Sequence, residues 1–309
     1  MEFRKIIAFG KSSFVISLPK AWLEANKLIK GDVVFLEQEE DKLMLVPKEK
    51  NTEKEESTIL VNIDNKDLSR IKREIYSGFL NYNSKIVIEG KEVAKYATEL
   101  TDLIHRLIAL EIVEQTSEKI VAKDFLRVED VSVKDYLRKA DIVIRSTLTD
   151  LKDPTFTNYQ ELMDRQLNVK RAYLLLLKIF KAVLKDLSLM KKLDIKSEDL
   201  LAFYRYNIAL QRISNCLNVI AKNIGKVNAA DKKKIQGFIG SLSDNYVKIL
   251  KAMHLENPDK AYELTGIRDK EVSIINAELK PKTESLKRIG ERLVWTYFEL
   301  HEILHRIYS

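Results

Sequence analysis

Apolar residues recur every three or four positions from Ser132 to the end of the chain, which is the spacing of one face of an α-helix. The pattern covers more than half of the 309 residues, and it fits a composition with only 9 glycines and 5 prolines. We therefore expect a multidomain, mainly α protein. Its C-terminal part, residues 130–309, is predicted to be an elongated bundle of six helices in two antiparallel three-helix units.

A short sequence recurs within this helical region. Residues Leu210 to Leu217 align with Leu286 to Leu293 through matching Leu, Arg, Ile and Leu. A fainter correspondence joins residues 168–171 with residues 271–274. Such repetition indicates a duplicated structural unit.

A run without apolar residues, Lys48 to Glu56, precedes the middle part of the chain and is typical of a linker. Residues 57–127 then show strand alternation and helical spacing in the order β-α-β-α-β-β, which predicts a small α/β domain. Gly78 and Gly90 stand singly and fit no phosphate-binding loop. The expected role of this domain is a rigid spacer or a second dimer contact.

The first fifty residues predict the order β-β-α-β-β. Two strands, Phe3 to Phe9 and Phe14 to Leu18, flank a turn that begins at Gly10. Pro19 can start a short helix, because the first helical N–H has no intrahelical partner. Two further strands follow at Val33 to Glu37 and Lys42 to Val46. A unit this small buries little surface alone, so we expect it to fold by pairing with a second copy.

The charge of this unit is polarised. Residues 1–30 carry six basic groups against two acids, whereas residues 31–50 carry three lysines against six acids. A dimer would double the basic face, and contacts from Lys and Arg to phosphate dominate nucleic-acid affinity. The net charge of +7 over the whole chain is weak evidence by itself.

The N-terminal segment resembles the AbrB/MazE/SpoVT family of swapped-hairpin DNA-binding domains. The matching positions are Arg4-Lys5, Gly10, Ile16 to Lys20, Leu23 and Gly31 to Val33. The resemblance implies a homodimer that binds duplex DNA through its first strand and following loop. The DNA-binding residues that it implies are Arg4, Lys5, Lys11, Ser12 and Ser13. The alternative is a basic surface on an antitoxin-like module or on one that only dimerises.

The helical region from Ser132 to Ser309 resembles PhoU, a two-repeat helical regulator associated with phosphate transport and signalling. The Leu-Glu-Arg-Ile-Gly-Asp signature of that family lies over Leu210 to Asn215 and again over Leu286 to Glu291. The combination of domains at 1–50, 57–127 and 130–309 is similar to archaeal PhoU-type transcription regulators.

The acidic pairs with which PhoU proteins hold metal ions are eroded in this chain. One pair becomes Gln211 and Asn215, and the other becomes Lys287 and Glu291. An ammonium group repels a cation, so we expect no cofactor and no family-type metal cluster. At most Asp269, Glu271 and Glu291 could hold one weakly bound ion.

His301-Glu302-Ile303-Leu304-His305 matches the zinc-peptidase pattern H-E-x-x-H on a helix. The sequence offers no third ligand downstream, and Ile303 and Leu304 continue an apolar stripe. We therefore expect no enzyme activity. Trp22 is expected in a dimer core, and Trp295 and the single cysteine, Cys216, are expected in the bundle core.

The favoured hypothesis is a cytoplasmic, DNA-binding transcriptional regulator linked to phosphate uptake, with the helical bundle as its signal-receiving part. The alternative is a signalling adaptor of a phosphate transporter subunit or sensor kinase, in which the N-terminal domain only dimerises. One cysteine suits a reducing compartment. No apolar run approaches about 18 residues and no signal-peptide pattern is seen, so no membrane insertion is expected.

Overall fold

The computed structural model of the protein describes residues 3–39, 42–47, 57–187, 189–255 and 258–308. The chain divides into two compact units, residues 1–55 and residues 56–309. Helices make up 64% of the structure, which confirms the prediction of a mainly helical protein with a small N-terminal strand region. The predicted linker Lys48 to Glu56 lies outside the described residues.

The N-terminal unit contains two antiparallel hairpins and one short helix. The first hairpin pairs β1 (Ile7–Phe9) with β2 (Ser13–Val15), so that Ala8 lies opposite Phe14. Its turn contains Gly10 with φ of +71°, a left-handed conformation that glycine adopts without steric cost. The elements are β1 (Ile7–Phe9), β2 (Ser13–Val15), α1 (Lys20–Ala25), β3 (Val34–Glu39) and β4 (Lys42–Pro47).

The middle of the chain forms a four-stranded sheet with two helices, which together are called the sheet layer below. The strand order is β5-β6-β8-β7; β5 and β6 are parallel, and the other pairs are antiparallel. The inner sheet face and both helices share one apolar core, in which Ile86, Ile88 and Ile120 are buried. The elements are β5 (Thr58–Asn62), α2 (Leu68–Leu80), β6 (Lys85–Glu89), α3 (Val93–His105), β7 (Leu110–Gln115) and β8 (Lys119–Asp124).

Gly78 and Gly90 are structural residues of this sheet layer. A Cβ atom on Gly78 would lie 2.8 Å from the side chain of Ile59, so only glycine lets α2 approach β5 this closely. Gly90 has φ of +146°, and a Cβ atom there would lie 2.5 Å from a carboxylate oxygen of Asp64. Gly78 is therefore needed for close helix–strand packing, and Gly90 for a backbone conformation that other residues rarely adopt.

The rest of the chain is helical and shares one large apolar core. The helices are α4 (Val133–Lys152), α5 (Tyr159–Lys185), α6 (Leu189–Lys192), α7 (Ser197–Ile224), α8 (Ala229–His254), α9 (Pro258–Leu264), α10 (Ile267–Glu278) and α11 (Glu284–Tyr308). The sequence predicts six helices in this region, whereas the described residues form eight, because α6 is an additional short helix and α9 and α10 are separate helices on either side of Thr265 and Gly266. Helix α4 packs against α5, α7 and α8, and α11 packs against α7, α8 and α10.

The recurring sequence lies on α7 and α11, which pack against each other. Its equivalent apolar positions are all buried: Leu210, Ile213, Leu217, Leu286, Ile289 and Leu293. The correspondence between the two segments therefore reflects the same core-facing role.

Helix α5 joins the sheet layer to the bundle. Lys178 is fully buried and forms an ion pair with Asp124, whose side chain is 5% exposed, at the end of β8. The Lys178 ammonium also lies 4.3 Å from the centre of the Phe79 ring on α2. Leu174, one turn earlier on α5, belongs to the apolar core of the sheet layer. The sheet layer and the bundle are therefore packed into one compact unit.

A second buried polar group links α4 to α8. Asp141 accepts a hydrogen bond of 2.9 Å from the Tyr246 hydroxyl and forms an ion pair of 2.8 Å with Arg145. Burial raises the pKa of Tyr246 well above its usual range, so this hydroxyl stays protonated and donates to the carboxylate. Within the described ranges, no helix is long and apolar enough to span a lipid bilayer.

Candidate nucleic-acid interface

The tip of the first hairpin carries three of the five residues predicted to bind DNA. Lys11 and Ser12 lie in the turn, and Ser13 begins β2, where it pairs with Phe9. All three are exposed. A tight turn held by Gly10 therefore presents one ammonium and two hydroxyl groups side by side, and these are donors suited to phosphate oxygens.

Arg4 and Lys5 lie at the other end of β1, in the extended segment before Ile7, and both are exposed. The Arg4 guanidinium donates a hydrogen bond of 3.4 Å to the Phe3 carbonyl. At about 3.3 Å per strand residue, Lys5 and Gly10 lie about 16 Å apart along the chain. The five predicted residues thus form two clusters joined by β1, and the structure does not gather them at one point.

The positive charges of the first hairpin are not balanced by nearby acidic residues. Residues 3–23 contain no aspartate or glutamate. Lys5 and Lys11 form no ion pair or hydrogen bond with any residue that the structure describes. Lys20 forms an exposed i,i+4 pair of 3.6 Å with Glu24, and such pairs contribute little. Both lysine ammonium groups of the hairpin are therefore available to an anionic partner.

The same unit leaves an unusually large apolar surface in solvent. None of its described side chains is buried, and Trp22 is only half-buried. Sequence reasoning expected a dimer core at Trp22 but did not name the strand residues. Consecutive apolar residues, as in Phe14-Val15-Ile16, were the available signal, because a strand of that kind is covered on both faces. The most exposed are Phe3 at 85%, Ile29 at 76%, Phe14 at 72%, Ile6 at 71% and Phe9 at 69%.

The weak metal candidates lie on two helices, Asp269 and Glu271 on α10 and Glu291 on α11. Asp269 pairs with Arg268 at 2.8 Å, and hydrogen bonding to that guanidinium lowers the pKa of Asp269. Glu271 accepts a hydrogen bond of 3.4 Å from the Tyr297 hydroxyl. Across the described part of the chain, no three His, Cys, Asp or Glu side chains come together as a metal site.

The H-E-x-x-H segment lies near the end of α11. Ile303 and Leu304 are buried in the bundle core, and His301 is half-buried. Glu302 forms an ion pair of 2.8 Å with Arg205 on α7. The side chain of His305 lies outside the described set. The Glu302 carboxylate is thus engaged by the Arg205 guanidinium, which is a structural role rather than that of a catalytic base.

Two further predictions concern the bundle core. Cys216 is buried as expected, and burial raises the pKa of its thiol. Trp295 was expected in the core, and this was wrong: it is 55% exposed and lies beside Phe298 with 6.2 Å between ring centres. Its position on α11 is one residue before the buried Thr296 and Tyr297, so helical geometry turns it towards solvent.

Residues 7–53 match the family model described as "Antidote-toxin recognition MazE, bacterial antitoxin". The chain therefore carries a MazE/AbrB-like domain at its N-terminus, a DNA-binding or antitoxin-type module whose members typically dimerise. No curated protein and no solved structure matches the chain. The resemblance of the helical region to PhoU stays a prediction.

Proposed function

We propose that the protein is a transcriptional regulator that binds duplex DNA as a homodimer through its N-terminal unit. The observation that carries the proposal is the first hairpin, which is basic and free of acids over residues 3–23 and belongs to a unit with no buried described side chain. The first property suits a polyanion, and the second requires a protein partner.

The partner that fits the apolar surface best is a second copy of the same unit. Large exposed apolar patches mark interaction sites, and small domains below about 40–60 residues commonly need association to gain a core. A closed twofold dimer presents the same patch from both copies. It would also place two copies of Arg4, Lys5 and Lys11 on one assembly, which doubles the number of phosphate contacts.

The second unit is proposed as the signal-receiving part of the regulator. The resemblance of residues 132–309 to PhoU supports a link to phosphate uptake or phosphate signalling in the cytoplasm. In this role the protein would act by binding alone, without a catalytic step, cofactor or metal. The effect of the signal would be to change how the paired N-terminal units engage DNA.

The test measures binding to a pool of random duplex DNA at several salt concentrations. The native chain is compared with Arg4→Glu/Lys5→Glu/Lys11→Glu and with a control of equal charge change, Lys233→Glu/Lys234→Glu/Lys248→Glu on exposed positions of α8. We expect native and control proteins to bind with affinity that falls steeply with salt. We expect the hairpin variant to lose binding while remaining a dimer.

The alternative, an adaptor of a phosphate transporter or sensor kinase, predicts a different result. The MazE description is of an antitoxin, so a domain that serves protein recognition is the competing role. In that case the native dimer would bind the duplex pool no better than the hairpin variant does. Equal binding by both proteins at every salt concentration would overturn the regulator and favour the adaptor.

A further inference from the structure

A cavity of about 530 Å³ lies between helices α4 and α5 of the second unit. Its size is within the range of small-molecule pockets, about 300–1,000 Å³. The remaining wall comes from Ile108, in the connection between α3 and β7. The cavity therefore lies where the sheet layer meets the bundle, within a single compact unit.

All charged groups that line this cavity are cations. They are Lys139 on α4 and Arg171 on α5, and none of the described lining residues carries a carboxylate. Among the described residues neither cation has an ion-pair partner, and the Lys139 ammonium lies 4.9 Å from the centre of the Tyr136 ring.

Arg171 is the more informative of the two cations. Its Nε atom is shielded from solvent and has no hydrogen-bond acceptor in the structure. A buried donor without an acceptor is costly, particularly on a charged group. A ligand that brings an acceptor into the cavity would remove that cost.

Most of the remaining wall is apolar. Ala140, Val169 and Ala172 are buried beneath the cavity, and Ile142, which is 55% exposed, stands at its mouth. Asn168 adds one neutral polar side chain near the cations. The lining therefore offers an apolar surface with two uncompensated positive charges.

We propose that this cavity binds a small organic anion with an apolar body, whose head group is held by Arg171 and Lys139. Carboxylate, sulfonate and phosphate monoester heads share the required chemistry, because each offers oxygen acceptors to a guanidinium. The apolar body would cover Ala140, Val169 and Ile142.

A neighbouring cavity shows why the charge pattern matters. That cavity, about 730 Å³ in volume, also carries cations, among them Arg138 and Arg145. It is lined by Asp135, Asp141 and Asp199 as well, so its charges compensate one another. The cavity at Arg171 differs from it because the charged groups of its described lining are all positive.

The test uses the fluorescent anion anilinonaphthalene sulfonate and its uncharged relative N-phenylnaphthylamine, titrated into the full-length protein. In Arg171→Gln/Lys139→Gln we expect the affinity for the anion to fall at least about tenfold, while the affinity for the uncharged probe changes less than about twofold. Lys234→Gln, an exposed lysine on α8 that does not line the cavity, should change neither. Decanoate should displace the anionic probe from the native protein.

Two variants keep the test decisive if the glutamine variant unfolds. Arg171→Lys keeps the charge but removes the Nε donor, so its affinity for the anion should lie between those of the native protein and the glutamine variant. Ile142→Trp changes a side chain at the mouth that is already exposed, so it should fold, and it should weaken both probes by obstructing the cavity. Unchanged anion affinity in both the glutamine and tryptophan variants would overturn the proposal, whatever the DNA-binding result.

Discussion

The same residue type has opposite surroundings in the two units of this protein. Phe9 and Phe14 of the N-terminal unit are 69% and 72% exposed, whereas Phe79 and Phe180 of the second unit are 1% and 2% exposed. The second unit completes its apolar cores within one chain. The first leaves its apolar residues exposed. In the proposed homodimer these residues would form the interface, and the stability of the unit would then depend on protein concentration.

The largest expected effect concerns the buried ion pair between Lys178 and Asp124 in the second unit. Lys178→Ala should lower its free energy of unfolding by about 3–5 kcal/mol, because it leaves Asp124 as a buried charge without its partner. Urea unfolding followed by circular dichroism measures this loss.

Lys181→Ala is the matched control on the same helix. Lys181 makes one exposed hydrogen bond of 2.7 Å to Asn81, so its loss should matter far less. Equal destabilisation by the two substitutions would show that the Lys178 ion pair does not hold the sheet layer to the bundle.

The next largest effect concerns the exposed apolar surface of the N-terminal unit, which is the proposed dimer interface. Phe14→Asp should weaken the homodimer by about 2–4 kcal/mol, or roughly 30- to 700-fold in Kd, because a carboxylate replaces an interface aromatic. Analytical ultracentrifugation measures the Kd. Lys30→Ser, a polar change on the same unit, is the control. A dimer of native affinity in the Phe14 variant would exclude the exposed apolar surface as the interface.

A smaller effect is expected within the bundle. Tyr246→Phe removes the hydroxyl that donates to Asp141, and a hydrogen bond to a charged group contributes about 1.5–3 kcal/mol. Arg145 still pairs with the carboxylate, so the loss should lie at the lower end of that range. Urea unfolding is the measurement, and the dimer Kd should not change. A change in Kd would mean that the two units are not energetically separate.

The smallest effect is a pH dependence within the second unit. Burial raises the pKa of Glu299, and Arg212 at 3.3 Å opposes that rise. A carboxyl group with a raised folded-state pKa contributes its full stabilisation below its unfolded pKa, about 4.3, and loses it as pH rises through the folded value. Glu299→Gln should therefore gain stability relative to the native protein as pH rises through this window.

Urea unfolding at a series of pH values from 4 to about 7 measures this trend. Glu291→Gln removes an exposed carboxylate from the same helix and serves as the control, because Glu291 is not among the groups that shift the pKa of Glu299. If the difference between Glu299→Gln and the native protein were flat across the series, burial of Glu299 would have no consequence for stability.

Sequence reasoning was strongest where the apolar period is long and local. The helices from Val133 onward follow directly from their spacing, and the order β-β-α-β-β at the N-terminus follows from turn residues such as Gly10 and Pro19. Strand lengths were less predictable: Phe3 to Phe9 was expected as a strand, and only Ile7–Phe9 forms one. The pairing with β2 ends at Ile7 and Val15, because the residues that follow Val15 do not continue that strand.

Features that depend on distant residues escaped prediction. Lys178 interrupts an apolar stripe of α5, and nothing nearby in the sequence indicates that Asp124 is its partner. The cavity at Arg171 depends on how α4 and α5 pack, which spacing alone does not fix.

The five DNA-binding candidates are all exposed, as a binding surface requires, and their role stays a prediction.

The contact between Asp124 and Lys178 also bears on how the protein is made. The two residues are separated by 54 positions in the chain. At about 5–20 residues per second, a ribosome adds Lys178 roughly 3–11 s after Asp124. Before helix α5 is made, the sheet layer is fully synthesised but lacks the Lys178 ammonium that pairs with Asp124 and the Leu174 side chain that completes its apolar core. We therefore expect the nascent sheet layer to remain open, and exposed to chaperones, until helix α5 has emerged.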